Sequence, residues 1–424
     1  MWELPTDALV NYVFPNNQVI WWELPIVIYP YITGMMAGAF VVSALWHLFD
    51  VAEFKRISNF ALIAALCFGL FAGVPLLLHL GQPLRAYKIF VTPHVTSAMS
   101  IFGYVWGGYM LLLLMEIWLI YRPYFIRMAD ETSGLMGSVW RILTLGVRVH
   151  HPDSVRLDHS LSVLLAGIGL PWACLLHGYV GFIFGSIKAI AWWATPLQPI
   201  IFLVSAMVSG MGMLMLMYSA IKYWRREEYD YVMVRKFVMY LWSFFILAFT
   251  LEILELATVI YERSHHWKIV RPLLEGPLFG SFVIGQVLLF SVVPFLLIGY
   301  VAVANLKDRL TLILANVGSL LLVLQVLFMR YNVVIGGQLI SKSERGFVDY
   351  HWQFLGREGV LAVGLIFIAP FVLYYLISRF IPILDYTGET AEPDSDSRLR
   401  WKGRETRFRS RRGSRQLAQP KTPL

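Results

Sequence analysis

Residues 76–104 read LLLHLGQPLRAYKIFVTPHVTSAMSIFGY. One apolar run ends at His79, a polar turn follows with Gln82, Pro83 and Arg85, and a second apolar run opens after His94 and Ser97. A turn so flanked joins two membrane-spanning helices and gathers proton-accepting and hydrogen-bonding groups at one face of a bilayer. That is a place to hold a redox lipid.

The rest of the chain supports this reading. Of its 424 residues 58% are apolar and only 15% charged, and the mean hydropathy is +0.63. These values lie far from those of an ordinary soluble domain and describe a multi-pass membrane protein. About 20 apolar residues cross the roughly 30 Å of hydrocarbon in a bilayer. Nine such runs are expected near 26–49, 58–80, 95–121, 160–184, 196–221, 236–262, 277–303, 309–329 and 358–380, with eight or ten helices as alternatives. The fold expected is an all-α helix bundle over 26–380, preceded by an N-terminal segment, 1–25, and followed by a basic tail, 381–424, that reads as disordered. The first residues, MWELPTDALV, have no basic region or small-residue cleavage site, so insertion is expected to start from the first spanning helix.

Most of the 35 basic residues fall on the side that carries the connections after helices one, three, five and seven together with the tail. Positive residues favour the cytoplasm. The N-terminus is therefore expected outside, as a periplasmic segment, and the C-terminus inside, in a bacterial inner membrane. The tail, rich in arginine from Arg398 to Arg415, is expected to lie on anionic lipid headgroups rather than to bind nucleic acid. Between helices three and four, GLMGSVWRILTLGVRV has the pattern of a short amphipathic helix. Gly34 and Gly38 have the spacing that lets two helices approach closely.

The two cysteines, Cys67 and Cys174, stand far apart inside apolar runs, which excludes clustered thiolate ligands and a disulfide framework. Only His47, His79 and His177 fall in or at the end of expected helices, each on a different one, so no helix carries a spaced pair for haem. The doublets His150–His151 and His265–His266 lie in loops. The polypeptide thus reads as having no haem or Fe–S cluster of its own, and a partner must supply the electrons.

Ionisable groups inside a membrane are costly unless paired or facing water. Glu252 and Glu255 lie three residues apart on one face of the sixth helix, and carboxylates so close suit a proton relay. The alternative is structural pairing with polar groups of neighbouring helices. Glu116, toward the inner end of the third helix, either extends a proton path or is interfacial and solvated. Gln286, Asn316 and Gln325 are expected to bond between helices, and Trp21, Trp22, Trp192 and Trp193 to anchor at the interface. The densest chemistry is at the outer ends of helices two to four: His79, Gln82, Arg85, Tyr104 and His177. A quinone needs donors for its carbonyls, a proton-exchanging group and apolar walls, and these residues provide them.

The runs WWELPIVIYPYITGMMAGAF, HLGQPLRA with VTPHVTSAM, HGYVGFIFGS with WWATPLQPIIFLVSAMVSG, and RYNVVIGGQ resemble, in order and spacing, the NrfD-type membrane subunits of polysulfide reductase, alternative complex III and related enzymes. Length and the RYNVVIGGQ segment are most similar to the membrane subunit of menaquinone reductase of sulfate reducers or to that of alternative complex III. The resemblance implies a menaquinone site near the outer face beside a docked periplasmic Fe–S subunit, with a molybdopterin-type subunit, a multihaem cytochrome c, or both in the complex. In relatives the histidine of the HLG(R/Q)P turn contacts the quinone, and His79 matches it. Some relatives carry an acid early in the third helix where this chain has Phe102, with Tyr104 the nearest polar group. The residues and the resemblance together assign quinone contact to His79, Gln82, Arg85, Phe102, Tyr104 and His177, with His79 catalytic. It leaves Glu252, Glu255 and Glu116 for proton movement. Two other classes compete: a secondary transporter, which the lack of an evident internal repeat disfavours, and a structural anchor with no quinone site.

Overall fold

The computed structural model describes residues 19–147, 151–263, 265–304, 306–341, 344, 346–384 and 386. The first 18 residues and the arginine-rich tail from 387 onward lie outside this set, as do His150, Arg148, Lys342 and Arg345.

Among the described residues nine helices are long and apolar enough to cross a membrane. They are α1 Leu24–His47, α2 Ala52–His79, α3 Ala98–Glu131, α4 Asp153–Gly185, α5 Gln198–Arg225, α6 Tyr231–Glu262, α7 Phe279–Val303, α8 Asp308–Leu339 and α9 Val360–Ile377. Extended structure among them is limited to one bridge, Ile340 to Phe347. The all-α expectation holds. Two helices run ten residues past their expected ends, α3 to Glu131 rather than 121 and α8 to Leu339 rather than 329. Arg330 and Asn332 stop a hydropathy window, yet both are buried and hydrogen-bonded within the bundle, so α8 has no reason to stop there.

The described residues form two compact units: 19–117 with 163–386, and 118–162. In the larger, α1 is the central helix. It is enclosed on every side, with α2, α5, α8 and α9 packed around it. Pro25 sits in its first turn, where a missing N–H costs nothing. The α1–α5 crossing is close because Gly38 meets Gly210: a Cβ on Gly38 would lie 2.8 Å from the Gly210 Cα and 2.4 Å from the Ala206 carbonyl oxygen. Gly34, one turn earlier, leaves room for the His177 ring, which a Cβ there would meet at 3.2 Å. By contrast α6, α7 and α9 turn apolar side chains such as Leu254, Leu296 and Leu365 outward, as lipid-facing helices do.

Two irregularities position the polar groups. First, α2 is interrupted at Gly73, two residues before Pro75, so that a separate last helical piece, Val74–His79, carries the histidine. Second, Phe279–Val292 of α7 is wound with π-type, five-residue spacing before regular α-helix resumes at Val293 next to Pro294. The start of α6 is regular: the Asp230 side chain accepts from the Met233 N–H at 3.0 Å.

The smaller unit contains the expected short helix, Gly134–Leu143. Its Trp140 stacks on Phe125 with centroids 5.7 Å apart. Arg122 is paired with Asp158 at 2.8 Å, and the Trp118 indole donates to the Leu143 carbonyl.

Candidate functional site

His79 ends α2 and meets the segment that leads into α9. Its Nδ1 lies 3.1 and 3.2 Å from the two carboxylate oxygens of Glu358, and both side chains are about three-quarters buried. Arg357 clamps the same helix end by donating to the Leu77 and Leu80 carbonyls. Glu23, just ahead of α1, is near enough for burial and the Glu358 charge to push its carboxyl above the usual glutamate range, with His79 opposing. The Tyr350 phenol is likewise pushed up, by burial and then by Glu23, Tyr331 and Glu358. His79 thus belongs to an ionisable cluster assembled from the start of α1, the end of α2 and the connection between α8 and α9.

Gln82 and Arg85 stand exposed on the turn Pro83–Arg85. Tyr104 is 40% exposed and its hydroxyl donates to the Phe90 carbonyl at 2.8 Å. Phe102 is buried, edge-on to Tyr29 with centroids 5.4 Å apart. The exposed side chains Leu84, Tyr87, Phe90, Val91 and Val95 make this connection apolar.

His177 has a different partner. It is fully buried, and its Nε2 lies 3.1 Å from Nη2 of Arg330, itself fully buried in α8. The same Nη2 donates to the Ser205 hydroxyl at 2.8 Å and the Phe202 carbonyl at 3.2 Å. The guanidinium also stands 3.7 Å from the Phe202 ring centroid, a cation–π contact.

The third group surrounds a cavity of about 90 Å³ bounded by α5 to α8 and the two connections above them. Its walls include Glu252 and Glu255 of α6, Gln286 of α7, Asn332 of α8, Gln198 of α5, and Trp192, Thr195 and His266. The Gln286 amide donates to Glu252 at 3.1 Å, and the Gln325 amide donates to both its oxygens at 3.1 and 3.2 Å. Asn332 donates to the Gln286 side-chain oxygen at 2.8 Å and to the Ser281 carbonyl. Thr195 and Glu255 share the wall.

Glu116 belongs to none of these groups. It is 1% exposed on α3, with one carboxylate oxygen buried and without a partner, so it is not solvated. Gln286 and Gln325 do bond between helices, but Asn316 donates to Leu312 of its own helix. Of the four tryptophans Trp21 is exposed, as an interfacial anchor is. Trp193 is 2% exposed, stacks on Trp22 and donates to the Val333 carbonyl, while Trp192 donates to the Asn332 carbonyl. Among the described residues no three His, Cys, Asp or Glu side chains converge as metal ligands.

Sequence reasoning missed Glu358 and Arg330. Nothing marks Glu358 in its loop, but an arginine inside an apolar run that also carries Asn332 and Gln338 was a usable signal.

Comparison with known proteins places the chain. Residues 13–342 match the family model described as "Polysulphide reductase, NrfD". The chain is 31% identical over 386 residues, 87% of each protein, to a subunit of the selenate reductase of Mesobacillus selenatarsenatis. It is 26% identical over 195 residues, 45% of this chain and 57% of the relative, to protein NrfD of Escherichia coli. Over 199 residues, 47% of this chain and 42% of the relative, it is 24% identical to an Hdr-like menaquinol oxidoreductase integral membrane subunit of Archaeoglobus fulgidus. The chain, a multi-pass membrane protein similar to membrane subunits of oxidoreductase complexes, belongs to the NrfD polysulphide reductase family.

Proposed function

We propose that this chain is the quinone-exchanging membrane subunit of a respiratory reductase complex, with menaquinone as the redox lipid. The observation that carries the reading is the His79–Glu358 pair. Quinone reduction takes up two protons with two electrons, and the group that supplies a proton must be oriented and able to exchange it. Glu358 engages Nδ1 of His79, which orients the ring and leaves Nε2 to face a quinone carbonyl. The exposed apolar side chains Leu77, Leu80, Leu84 and Phe90 offer walls for ring and tail. Gln82, Arg85 and Tyr104 are the donors near this end of the bundle.

A partner Fe–S subunit, in a complex with a molybdopterin-type subunit or a multihaem cytochrome c, would dock on the face where α1 begins, which we orient outward in a bacterial inner membrane. The relatives named as a selenate reductase subunit and a menaquinol oxidoreductase subunit support the type of complex. Protons serving the reaction pass through the polar interior lined by Glu252 and Glu255, with Glu116 a separate buried carboxyl. The direction of electron flow follows the potentials of the partners.

The test is His79→Ala in membranes holding the assembled complex, with assembly checked by co-purification of the other subunits. Loss of quinone-linked turnover and of quinone-site inhibitor binding is expected. Unchanged values for both would overturn the site and leave a structural anchor.

A further inference from the structure

Glu252 and Glu255 line the same cavity, yet their surroundings differ in kind. The difference can be traced from a group whose polarity is fixed. The Ser281 backbone carbonyl only accepts, so the Asn332 atom facing it is the amide nitrogen. That nitrogen also donates to Gln286, which must therefore present its oxygen to Asn332 and its own NH₂ to Glu252. Gln325 adds a second amide NH₂ that spans both Glu252 oxygens. Gln286 is thus bound to turn its N–H groups toward Glu252, which suits a carboxylate and gives a carboxylic acid O–H no acceptor on that side. Arg330 stands five residues beyond Gln325 on α8.

Glu255, three residues further along α6, shares the cavity wall with Thr195. A hydroxyl donates to a carboxylate or accepts from a carboxylic acid, so Glu255 is accommodated in either state. The cavity it faces needs donors. The Asn332 side-chain oxygen, in a residue 1% exposed, has no partner and belongs to the wall. A volume of about 90 Å³ holds roughly three water molecules at about 30 Å³ each. The charged or titratable groups facing it are Glu252 and Glu255 from α6 and His266 from the helix His265–Glu275. Its wall residues from α5, α7 and α8, among them Gln198, Gln286 and Asn332, are uncharged.

We propose that this cavity holds a water cluster that exchanges protons with Glu255, while Glu252 is a permanently ionised counter-charge that takes no part in the exchange. In the step, a hydronium in the cluster gives its proton to the Glu255 carboxylate and becomes water; the reverse step returns it. The cavity reaches the connections at Trp192 and His266, so exchange is with the face on which α1 begins. This deepens the proposed function and rests on it only for the reaction that the protons serve.

Dicyclohexylcarbodiimide tests the assignment without turnover, because it adds to a protonated carboxyl in an apolar setting and leaves a carboxylate alone. The complex in native membranes is treated across a pH series, and fragment sequencing of the peptide holding both glutamates locates the adduct. The adduct is expected on Glu255, falling about tenfold per pH unit above its titration point, retained in Glu252→Gln and lost in Glu255→Gln. An adduct on Glu252 in the unmodified chain, or none on Glu255 at any pH, overturns the proposal. Because His79 plays no part in the labelling, failure here is distinguishable from failure of the quinone site.

Discussion

Arg330 is fully buried and donates from Nη2 to Nε2 of His177 at 3.1 Å. While that bond stands, Nε2 is an acceptor, so His177 is a neutral ring with its proton on Nδ1. The histidine is then a support for the guanidinium, which also holds Ser205, the Phe202 carbonyl and the Phe202 ring. Arg330→Ala removes the donor to His177 and Ser205 and leaves an empty volume beside the Phe202 ring, and is expected to cost about 3 kcal/mol. Arg330→Lys keeps the charge but not the planar fork, and is expected to cost less, on the order of 1–2 kcal/mol. Thermal unfolding of the purified subunit in detergent measures both, and equal stability of all three proteins would refute the role.

The His79–Glu358 pair gives a second prediction. If Glu358 acts by orienting His79, Glu358→Gln should lower quinone-linked turnover about tenfold and His79→Ala about 100-fold. The double variant should then fall no further than His79→Ala alone, because the two residues work as one unit. Turnover losses that multiply would show that Glu358 acts elsewhere.

The nine helices were legible because each needs only an apolar run of sufficient length, a property of the chain that packing does not alter. The candidate site was legible in one part. His79 stands in a local motif, whereas Glu358 reaches it across 279 residues of sequence and has nothing in its own surroundings to mark it. The segment RYNVVIGGQ is visible as a motif, but hydropathy puts it after a helix rather than in one. In the structure each of its unusual residues answers a distant one. Arg330 meets His177, and Asn332 meets Gln286. Gly337 leaves room for the Trp193 ring, and Gln338 bonds both backbone groups of Trp22. Such pairings depend on which helices become neighbours, and hydropathy carries no record of that. The same reason explains the tryptophans: two that fit an interfacial belt by position are drawn inward by partners on α8.

Glu23 provides a pH dependence that can be measured without partners. Its carboxyl holds a proton to higher pH in the folded chain than in the unfolded one. Between the ordinary glutamate range and the raised value the folded state therefore binds more protons, and stability declines as pH rises through that window. Below the window both states are protonated and the contribution is fully present. Glu23→Gln should flatten this part of the profile of unfolding midpoint against pH. A profile that is the same with and without the substitution would show that Glu23 does not set it.

The α1–α5 crossing sets how closely the central helix sits against its neighbour, and with it the seat of His177 beside Gly34. At Gly38 a Cβ would lie 2.4 Å from the Ala206 carbonyl oxygen and 2.8 Å from the Gly210 Cα, both backbone atoms that cannot rotate away. Gly38→Ala must therefore push two helices apart, at an expected cost of about 1–3 kcal/mol. Gly73→Ala is the matched control, since a Cβ there meets nothing within 4 Å. Unfolding midpoints should fall clearly for the first and little for the second. If the pair behaved alike, the close crossing would not be what holds α1 at the centre of the bundle.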